Sequence, residues 1–485
     1  MRAGRYDLVV IGGGTGGLVS ALIAAGVGAR VALIERERTG GDCLWTGCVP
    51  SKSLLAAGAL AHRIRHADDV GLQPTEPVID FARVMRHVDD ARRRIAPQDS
   101  PERLRSEGVD VIEADASFLA PGRIVAGGRE LRYRKAIVAT GSRPAAPPIP
   151  GLAEIEALTS DTLWGLRRLP ERLAVLGGGP IGCEMAQAFA RLGSRVTLVE
   201  MAPRLLLKEE PRASELIASH LARDGVDLRL GARAESLTPG DDGHGGELAV
   251  SENVSTSIVG FDRILLAAGR RPDTADLGLT AVGVESDARG AVLVDKRLRT
   301  TGRDIYAVGD VTGALPFTHV AAYHARVATV NALFAARRTV DYAAVPWVTF
   351  TDPEVGRAGM TEDEARSRWG GSAIVTSFDY EELDRAITGG DAYGFVKLIG
   401  DPKGRLVGAT VAAPQGGEAI AELAAWIATG ARIDRVSQTV HAYPTMAEGQ
   451  ARAADAYLRA KLSTPRMRAL TGAALRLLRI LDRGA

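Results

Sequence analysis

The apolar positions of this chain fall in short unbroken runs rather than in alternation. Leu8-Val9-Val10-Ile11 and Val31-Ala32-Leu33-Ile34 form one pair, and Leu173-Ala174-Val175-Leu176 and Val196-Thr197-Leu198-Val199 form a second. Runs this short and continuous predict strands covered on both faces, as in a parallel sheet flanked by helices. Within each pair a glycine cluster is followed by a helical segment, which runs through Ala25 in the first and from about Ile181 to Leu192 in the second. Each pair therefore predicts a unit of strand, helix and parallel strand.

The glycine spacing gives these units a ligand. In Gly12-Gly13-Gly14-Thr15-Gly16-Gly17, Gly12 makes the tight turn and Gly14 lets a pyrophosphate approach the helix N-terminus. Gly17 permits close packing of helix on strand, and Glu35 at the end of the second strand can accept hydrogen bonds from ribose hydroxyls. The pattern recurs with Gly177, Gly179, Gly182 and Glu200, so two dinucleotides are expected. Glu200 would repel a 2′-phosphate, and glycine rather than alanine at 182 also leans toward NAD. NADH is the expected donor, with Arg204 close enough to keep NADPH open.

Further strands connect the units. Lys135 to Ala139 ends at Thr140-Gly141 and enters the proline-rich stretch from Pro144 to Pro150, a natural linker. Arg263 to Ala267 closes the second unit at Gly269, after which the chain returns through Asp304 to Asp310. Asp310 could hydrogen-bond a ribityl hydroxyl or cap the helix expected from His319.

At 485 residues the chain is too long for one ordinary core, and three domains are expected. A net charge of +1 gives no general pull toward nucleic acid. The N-terminus runs almost directly into a strand, with no signal-peptide core and no membrane-length apolar run, which predicts a cytoplasmic protein. Cys43 and Cys48 have no His or Cys neighbours to complete a zinc set, so no metal site is expected, and Cys183 stands apart. In a reducing compartment such a pair points to redox chemistry rather than a structural disulfide.

The segment Gly41-Asp42-Cys43-Leu44-Trp45-Thr46-Gly47-Cys48-Val49-Pro50-Ser51-Lys52, about 30 residues after the first glycine cluster, carries a resemblance. Residues 5 to about 462 resemble the class I pyridine nucleotide-disulfide oxidoreductases, which include dihydrolipoamide dehydrogenase, glutathione reductase and mercuric reductase. The resemblance implies an α/β fold of two Rossmann-like dinucleotide-binding domains plus a C-terminal α+β dimerisation domain. The expected divisions are an FAD-binding domain over 1–150 and 270–342, an NAD(P)-binding domain over 151–269, dimerisation over 343–464 and a tail over 465–485. It further implies FAD and NAD(P)H as cofactors, with Cys48 as the thiolate against the flavin and Cys43 facing the substrate. Lys52 matches the family lysine beside flavin N5, paired with a glutamate matching Glu184. A helix expected from about Ser51 to Arg65 would favour the Cys48 thiolate independently of any resemblance. Thr140, Gly141 and Asp310 are assigned to the flavin site and Gly269 to the nicotinamide site. Pro180 stands where glutathione reductase carries a gating tyrosine. The family forms homodimers whose active sites are shared between subunits.

One motif departs from most of the family. Where most members carry His-Pro-Thr and then a glutamate, this chain reads His441-Ala442-Tyr443-Pro444-Thr445-Met446-Ala447-Glu448. Tyr443 fills the place of the catalytic histidine, and a phenol with a pKa near ~10 is a poor base beside imidazole near ~6.5. His441 is the nearest stand-in. Tyr443, Thr445-Met446 and Glu448-Gly449 resemble the mercuric reductase branch, although the C-terminal cysteine pair and separate N-terminal metal-binding domain of that branch have no counterpart in this chain. The expected acceptor is a soft electrophile or metal ion, with dihydrolipoamide dehydrogenase and a non-catalytic redox sensor as the competing functions. From Pro465 to Arg483, Met467, Leu470, Ala474, Leu477, Leu478 and Leu481 recur at helical spacing among arginines. This basic amphipathic helix is expected to pack on its own dimer domain, with weak membrane-surface contact as the other possibility.

Overall fold

The computed structural model describes residues 5–241, 243–252 and 255–482. The chain divides into two compact units, one of Met1–Arg65, Thr75–Leu205 and Leu221–Val340, the other of His66–Pro74, Leu206–His220 and Asp341–Ala485.

In the first unit, β1 (Tyr6–Ile11), β2 (Val31–Glu35), β3 (Val109–Glu113), β4 (Ala116–Ala120), β5 (Arg123–Ala126) and β6 (Arg129–Val138) form a sheet in the order β3-β2-β1-β6-β5-β4. β1 to β3 and the end of β6 run parallel, whereas β4 and β5 are antiparallel additions. Leu8 and Val10 pack with α1 (Thr15–Gly26), while Val9 and Ile11 join a second cluster with Phe118, Ile124 and Tyr133. Successive strand residues face opposite sides and both sides are buried, which accounts for the unbroken apolar runs. Helices α2 (Gly41–Trp45), α3 (Cys48–Arg65), α4 (Phe81–Ile95) and α5 (Pro101–Ser106) follow β2. The start of α3 differs from expectation by three residues. Pro50 is accommodated in the first turn, where its missing N–H would have no intrahelical partner, and the Ser51 amide donates to Gly47 O at 3.1 Å.

After β7 (Ser142–Pro144), the second dinucleotide module contains β8 (Arg172–Leu176), α6 (Pro180–Arg191), β9 (Arg195–Glu200) and β10 (Asp227–Leu230), whereas α7 (Pro211–Arg223), between β9 and β10 in the chain, belongs as far as His220 to the second unit. A three-stranded antiparallel sheet of β11 (Ala232–Pro239), β12 (Gly246–Glu252) and β13 (Ser255–Phe261) precedes β14 (Arg263–Leu266). The parallel order is β10-β9-β8-β14, and Leu176 and Val199 share a core with Leu248 and Phe261. β15 (Arg270–Pro272) pairs antiparallel with β7, so the strands entering and leaving this module lie side by side. The chain then returns as β16 (Ile305–Ala307), parallel to β6, followed by α8 (Thr318–Phe334). Asp310 lies beyond the strand in a single 3-10 turn, Gly309–Thr312.

The second unit holds an antiparallel sheet of β17 (Pro346–Thr349), β18 (Glu354–Gly359), β19 (Ile374–Asp379), β20 (Phe395–Gly400) and β21 (Leu406–Ala413), in the order β17-β18-β21-β20-β19. Its helices are α9 (Glu362–Trp369), α10 (Asp384–Gly389), α11 (Gly416–Ala428), α12 (Ile433–Gln438), α13 (Glu448–Leu462) and α14 (Pro465–Leu481). Ile420, Leu423, Val436 and Ala453 bury the sheet residues Val396, Leu398 and Val411. The expected packing of the tail helix on this domain is not found within the protomer: no residue of α14 is buried. Thr464 caps a new helix by accepting from the Met467 amide, and Pro465 begins it, so α14 is a separate element from α13. Arg483 lies outside the described residues.

Candidate active site

The two glycine clusters fold into near-copies of one another. Gly12 has φ +105° and Gly177 φ +111°, and a Cβ on either would meet a carbonyl oxygen, Ala139 O at 2.4 Å or Ala267 O at 2.6 Å. A Cβ on Gly17 or Gly182 would lie 1.8 Å from the carbonyl oxygen of Gly12 or Gly177. Gly14 and Gly179 cap α1 and α6 in extended conformation, leaving amides of both helix N-termini directed outward. Glu35 accepts from the Gly13 amide at 2.6 Å and the Glu37 amide at 2.8 Å. Glu200 does the same with Gly178 at 2.5 Å and Ala202 at 2.7 Å. Both acids therefore brace their own glycine turns, and both cradles have the close backbone approach that a pyrophosphate requires.

The cysteine helix is docked on the first cradle. Gly41 has φ +58°, and a Cβ there would lie 2.5 Å from Gly14 Cα. Cys43 sits in α2, Thr46 and Gly47 turn the chain by donating to Asp42 O at 2.8 and 2.5 Å, and Cys48 opens α3. Both thiols are free and half-buried. Hydrogen bonding from the Cys43 thiol, opposed by burial and supported by Thr318 and the Lys52 charge, lowers the Cys48 pKa to about 6. The same hydrogen bond, with burial, moves Cys43 upward. Thr318 Oγ1, at the start of α8, is 3.3 Å from Cys48 Sγ. One turn into α3, Lys52 Nζ meets Glu184 Oε2 of α6 at 2.8 Å, with Glu184 only 5 % exposed. Pro180 occupies the first turn of α6.

Asp310, one of the residues expected at a dinucleotide site, belongs to a network around Arg270. The Arg270 guanidinium donates to Ser142 Oγ at 2.8 Å, Ser142 O at 2.7 Å and Ser160 Oγ at 3.0 Å, and it pairs with Asp42 beside Cys43. Ser142 Oγ in turn donates to Asp310 at 2.7 Å. Thr140 Oγ1 donates to Asp273 O at 2.6 Å, Gly141 has φ +72°, and Gly269 O accepts from Ala145.

Tyr443, His441 and Glu448 lie in the second unit. Tyr443 is 68 % exposed and donates its hydroxyl to Asp384 at 2.7 Å, which raises the phenol pKa. Both ring nitrogens of His441 are engaged, Nδ1 with Thr439 O at 2.9 Å and Nε2 with Glu422 at 3.1 Å. Glu448 pairs with Arg452 one turn along α13 at 2.6 Å. The loop between them is anchored by fully buried Tyr380, which donates to Met446 O at 3.0 Å.

Residues 6–325 match the family described as pyridine nucleotide-disulphide oxidoreductase, and residues 345–454 match its dimerisation domain. The chain belongs to the class I pyridine nucleotide-disulfide oxidoreductases. It is similar to a mercuric reductase of Streptomyces lividans, with 38 % identity over 93 % of this chain and 96 % of the relative. A dihydrolipoyl dehydrogenase of Halobacterium salinarum is 34 % identical over 93 % of this chain and 95 % of its own. Among solved structures, the Cu(II) complex of the HOCl-induced flavoprotein disulfide reductase RclA from Escherichia coli matches with a TM-score of 0.83 and 30 % identity, covering 93 % of this chain and 99 % of that one.

As a member of this family the protein is an FAD-dependent oxidoreductase that uses NAD(P)H, and its dimerisation domain supports a homodimer. Among the described residues no helix is long and apolar enough to cross a membrane. Several oxidoreductase site contacts had no sequence signal. Thr318 stands 270 positions from Cys48, and Arg270 reaches Asp42 from across an inserted module. Trp164 Nε1, likewise, holds the turn between the cysteines by donating to Thr46 O at 2.9 Å. Asp384, the partner of Tyr443, carries no motif of its own.

Proposed function

We propose that this oxidoreductase passes two electrons from NADH to the Cys43–Cys48 disulfide and on to a soft electrophile, with a thiophilic metal ion as the favoured class. Gly12, Gly14, Gly17, Glu35, Thr140, Gly141 and Asp310 would hold FAD, and Gly177, Gly179, Gly182, Glu200 and Gly269 the nicotinamide dinucleotide. The steric closeness of both glycine cradles fits these groups. When bound, the flavin supplies the two-electron relay between nicotinamide and disulfide. The disulfide takes up two electrons and one proton and opens to a Cys48 thiolate and a Cys43 thiol. The thiolate charge is held by the Cys43 S–H, Thr318 and Lys52, while Glu184 keeps the lysine in place. Cys43 meets the acceptor, and the site is completed by Tyr443 of the partner subunit.

The observation that carries this reading is the bond between Tyr443 and Asp384. It engages the phenol's only proton, so the loop offers the hydroxyl oxygen as a ligand where thiol exchange calls for a base. His441 has both nitrogens bonded and a side chain only 8 % exposed, which leaves it a structural role. The Cu(II) complex of RclA and the mercuric reductase relatives support the metal class. The test is steady-state oxidation of NADH and NADPH by the holoenzyme with Hg(II), Cu(II), lipoamide and a quinone. NADH with a metal ion is expected to be the fastest pairing. Rapid lipoamide turnover whose pH dependence disappears in His441→Gln would return the enzyme to the dihydrolipoamide dehydrogenases.

A further inference from the structure

We propose that α14 docks this enzyme on the surface of a membrane rich in anionic phospholipid. The helix stands past the end of the matched dimerisation domain at residue 454 and begins with its own cap and proline. At about 100° per residue, Met467, Leu470, Ala474, Leu477, Leu478 and Leu481 fall within an arc of roughly 100°. Arg468, Arg476 and Arg479 lie on the opposite side. That apolar arc is open along its length: Leu470, Leu477, Leu478 and Leu481 are 55–60 % exposed. A helix this short is marginal in water without burial of its apolar face, so an occupant is required.

The charge of the helix says which occupant. Residues 465–481 contain Arg466, Arg468, Arg476 and Arg479 and no acid. An apolar groove on a protein would seat the leucines and leave these arginines facing water. An anionic lipid surface takes the leucines below its headgroups and, through its negative surface potential, also attracts the guanidinium charges across the narrow width of the helix. The same arginines and the 17-residue length keep the helix lying in the interface rather than spanning it.

The test uses the purified full-length holoenzyme, centrifuged with vesicles of phosphatidylcholine alone or of phosphatidylcholine and phosphatidylglycerol in equal parts. Protein is expected in the pellet with the anionic vesicles only, and high salt should release it. Affinity should fall roughly a hundredfold or more in R468E/R476E/R479E, given about 1 kcal/mol per basic residue at such a surface and about 1.4 kcal/mol per tenfold. L470E/L477E and a chain ending at Ser463 should also stay in the supernatant, with NADH oxidation and dimer mass unchanged to show that the fold is intact. Protein that stays in solution, pellets equally with both vesicles, or pellets undiminished in the arginine or leucine variant overturns the proposal. Dissociation of L470E/L477E to monomer in light scattering also overturns it, by showing that a second copy covers the helix.

Discussion

At the scale of single residues, the two cysteines are made chemically unequal by what each receives. Cys48 accepts the Cys43 thiol, lies against Thr318 and opens a helix, whereas Cys43 gives up a hydrogen bond and gains little. In the reduced protein, the ultraviolet absorbance of the Cys48 thiolate should therefore be half-developed near pH about 6, falling below that pH as the thiolate is protonated. Cys183 is buried with its pKa raised and should stay silent. Cys43→Ala removes the largest stabilising contact, so the profile should move toward the ordinary thiol value near ~8.5; an unmoved profile would mean that α3 and Lys52 suffice. For the proposed role of Tyr443, the relevant scale is that of general acid–base catalysis, which typically contributes 10²–10⁴-fold, roughly. Tyr443→His is expected to raise lipoamide-dependent NADH oxidation while metal-dependent rates fall or stay level. Steady-state rates with the two acceptors check this, and a variant that gains nothing with lipoamide contradicts the role given to Tyr443.

Among elements, the site depends on how α3 meets α6, since one carries Cys48 and Lys52 and the other Glu184. The helices pack closely at Gly58 of α3, where a Cβ would just reach van der Waals contact with the Ala188 backbone of α6 at 3.4 Å. Beside that contact the buried Asp224 carboxylate accepts from His62 of α3 at 3.1 Å and from Arg191 and Gln187 of α6 at 2.9 Å each. Breaking a buried ion pair from one side typically costs about 3–5 kcal/mol, so Asp224→Ala should lower Tm markedly and weaken retention of FAD in thermal and gel-filtration assays. Burial alone would raise the Asp224 pKa, but bonds from His62 and Arg191 bring it below the ordinary value. Its stabilisation is thus present above the unfolded carboxyl pKa near ~3.9 and lost as pH falls through the lower folded value. The glycine cradles and flanking strands were legible in the sequence because tight turns and doubly buried strands restrict residue choice locally. The pair Lys52–Glu184 was legible only through motif resemblance. Asp224, Thr318, Arg270 and Asp384 were not, because each acts through a partner distant in sequence and its own type is ordinary. The start of α3 was misplaced because Pro50 reads as a boundary although first-turn positions tolerate it.

For the whole molecule, the proposal that each site draws Cys43 from one subunit and Tyr443 from the other has a direct consequence. A dimer of Cys43→Ser chains and a dimer of Tyr443→Phe chains should each be impaired with a metal acceptor. After subunit exchange, every mixed dimer regains one intact site, as a symmetric isologous interface requires. Recovery of NADH oxidation on mixing is the expected result, and no recovery despite exchange verified by mass would place both residues in one subunit's site or separate them altogether. The seam of β7 against β15 bears on how such a chain is made. The first dinucleotide module is interrupted at Ser142–Pro144 and resumes only after Arg270–Pro272, and its sheet is completed by β16 at Ile305–Ala307. As the polypeptide leaves the ribosome, the inserted module has all its parallel strands before the module that began first has received β16 and α8. The later-starting module can therefore finish folding first, and the half-built N-terminal sheet must wait with the edge of β6 unpaired. A nascent chain stalled before residue 305 should accordingly show protease protection of residues 172–266 ahead of residues 6–138.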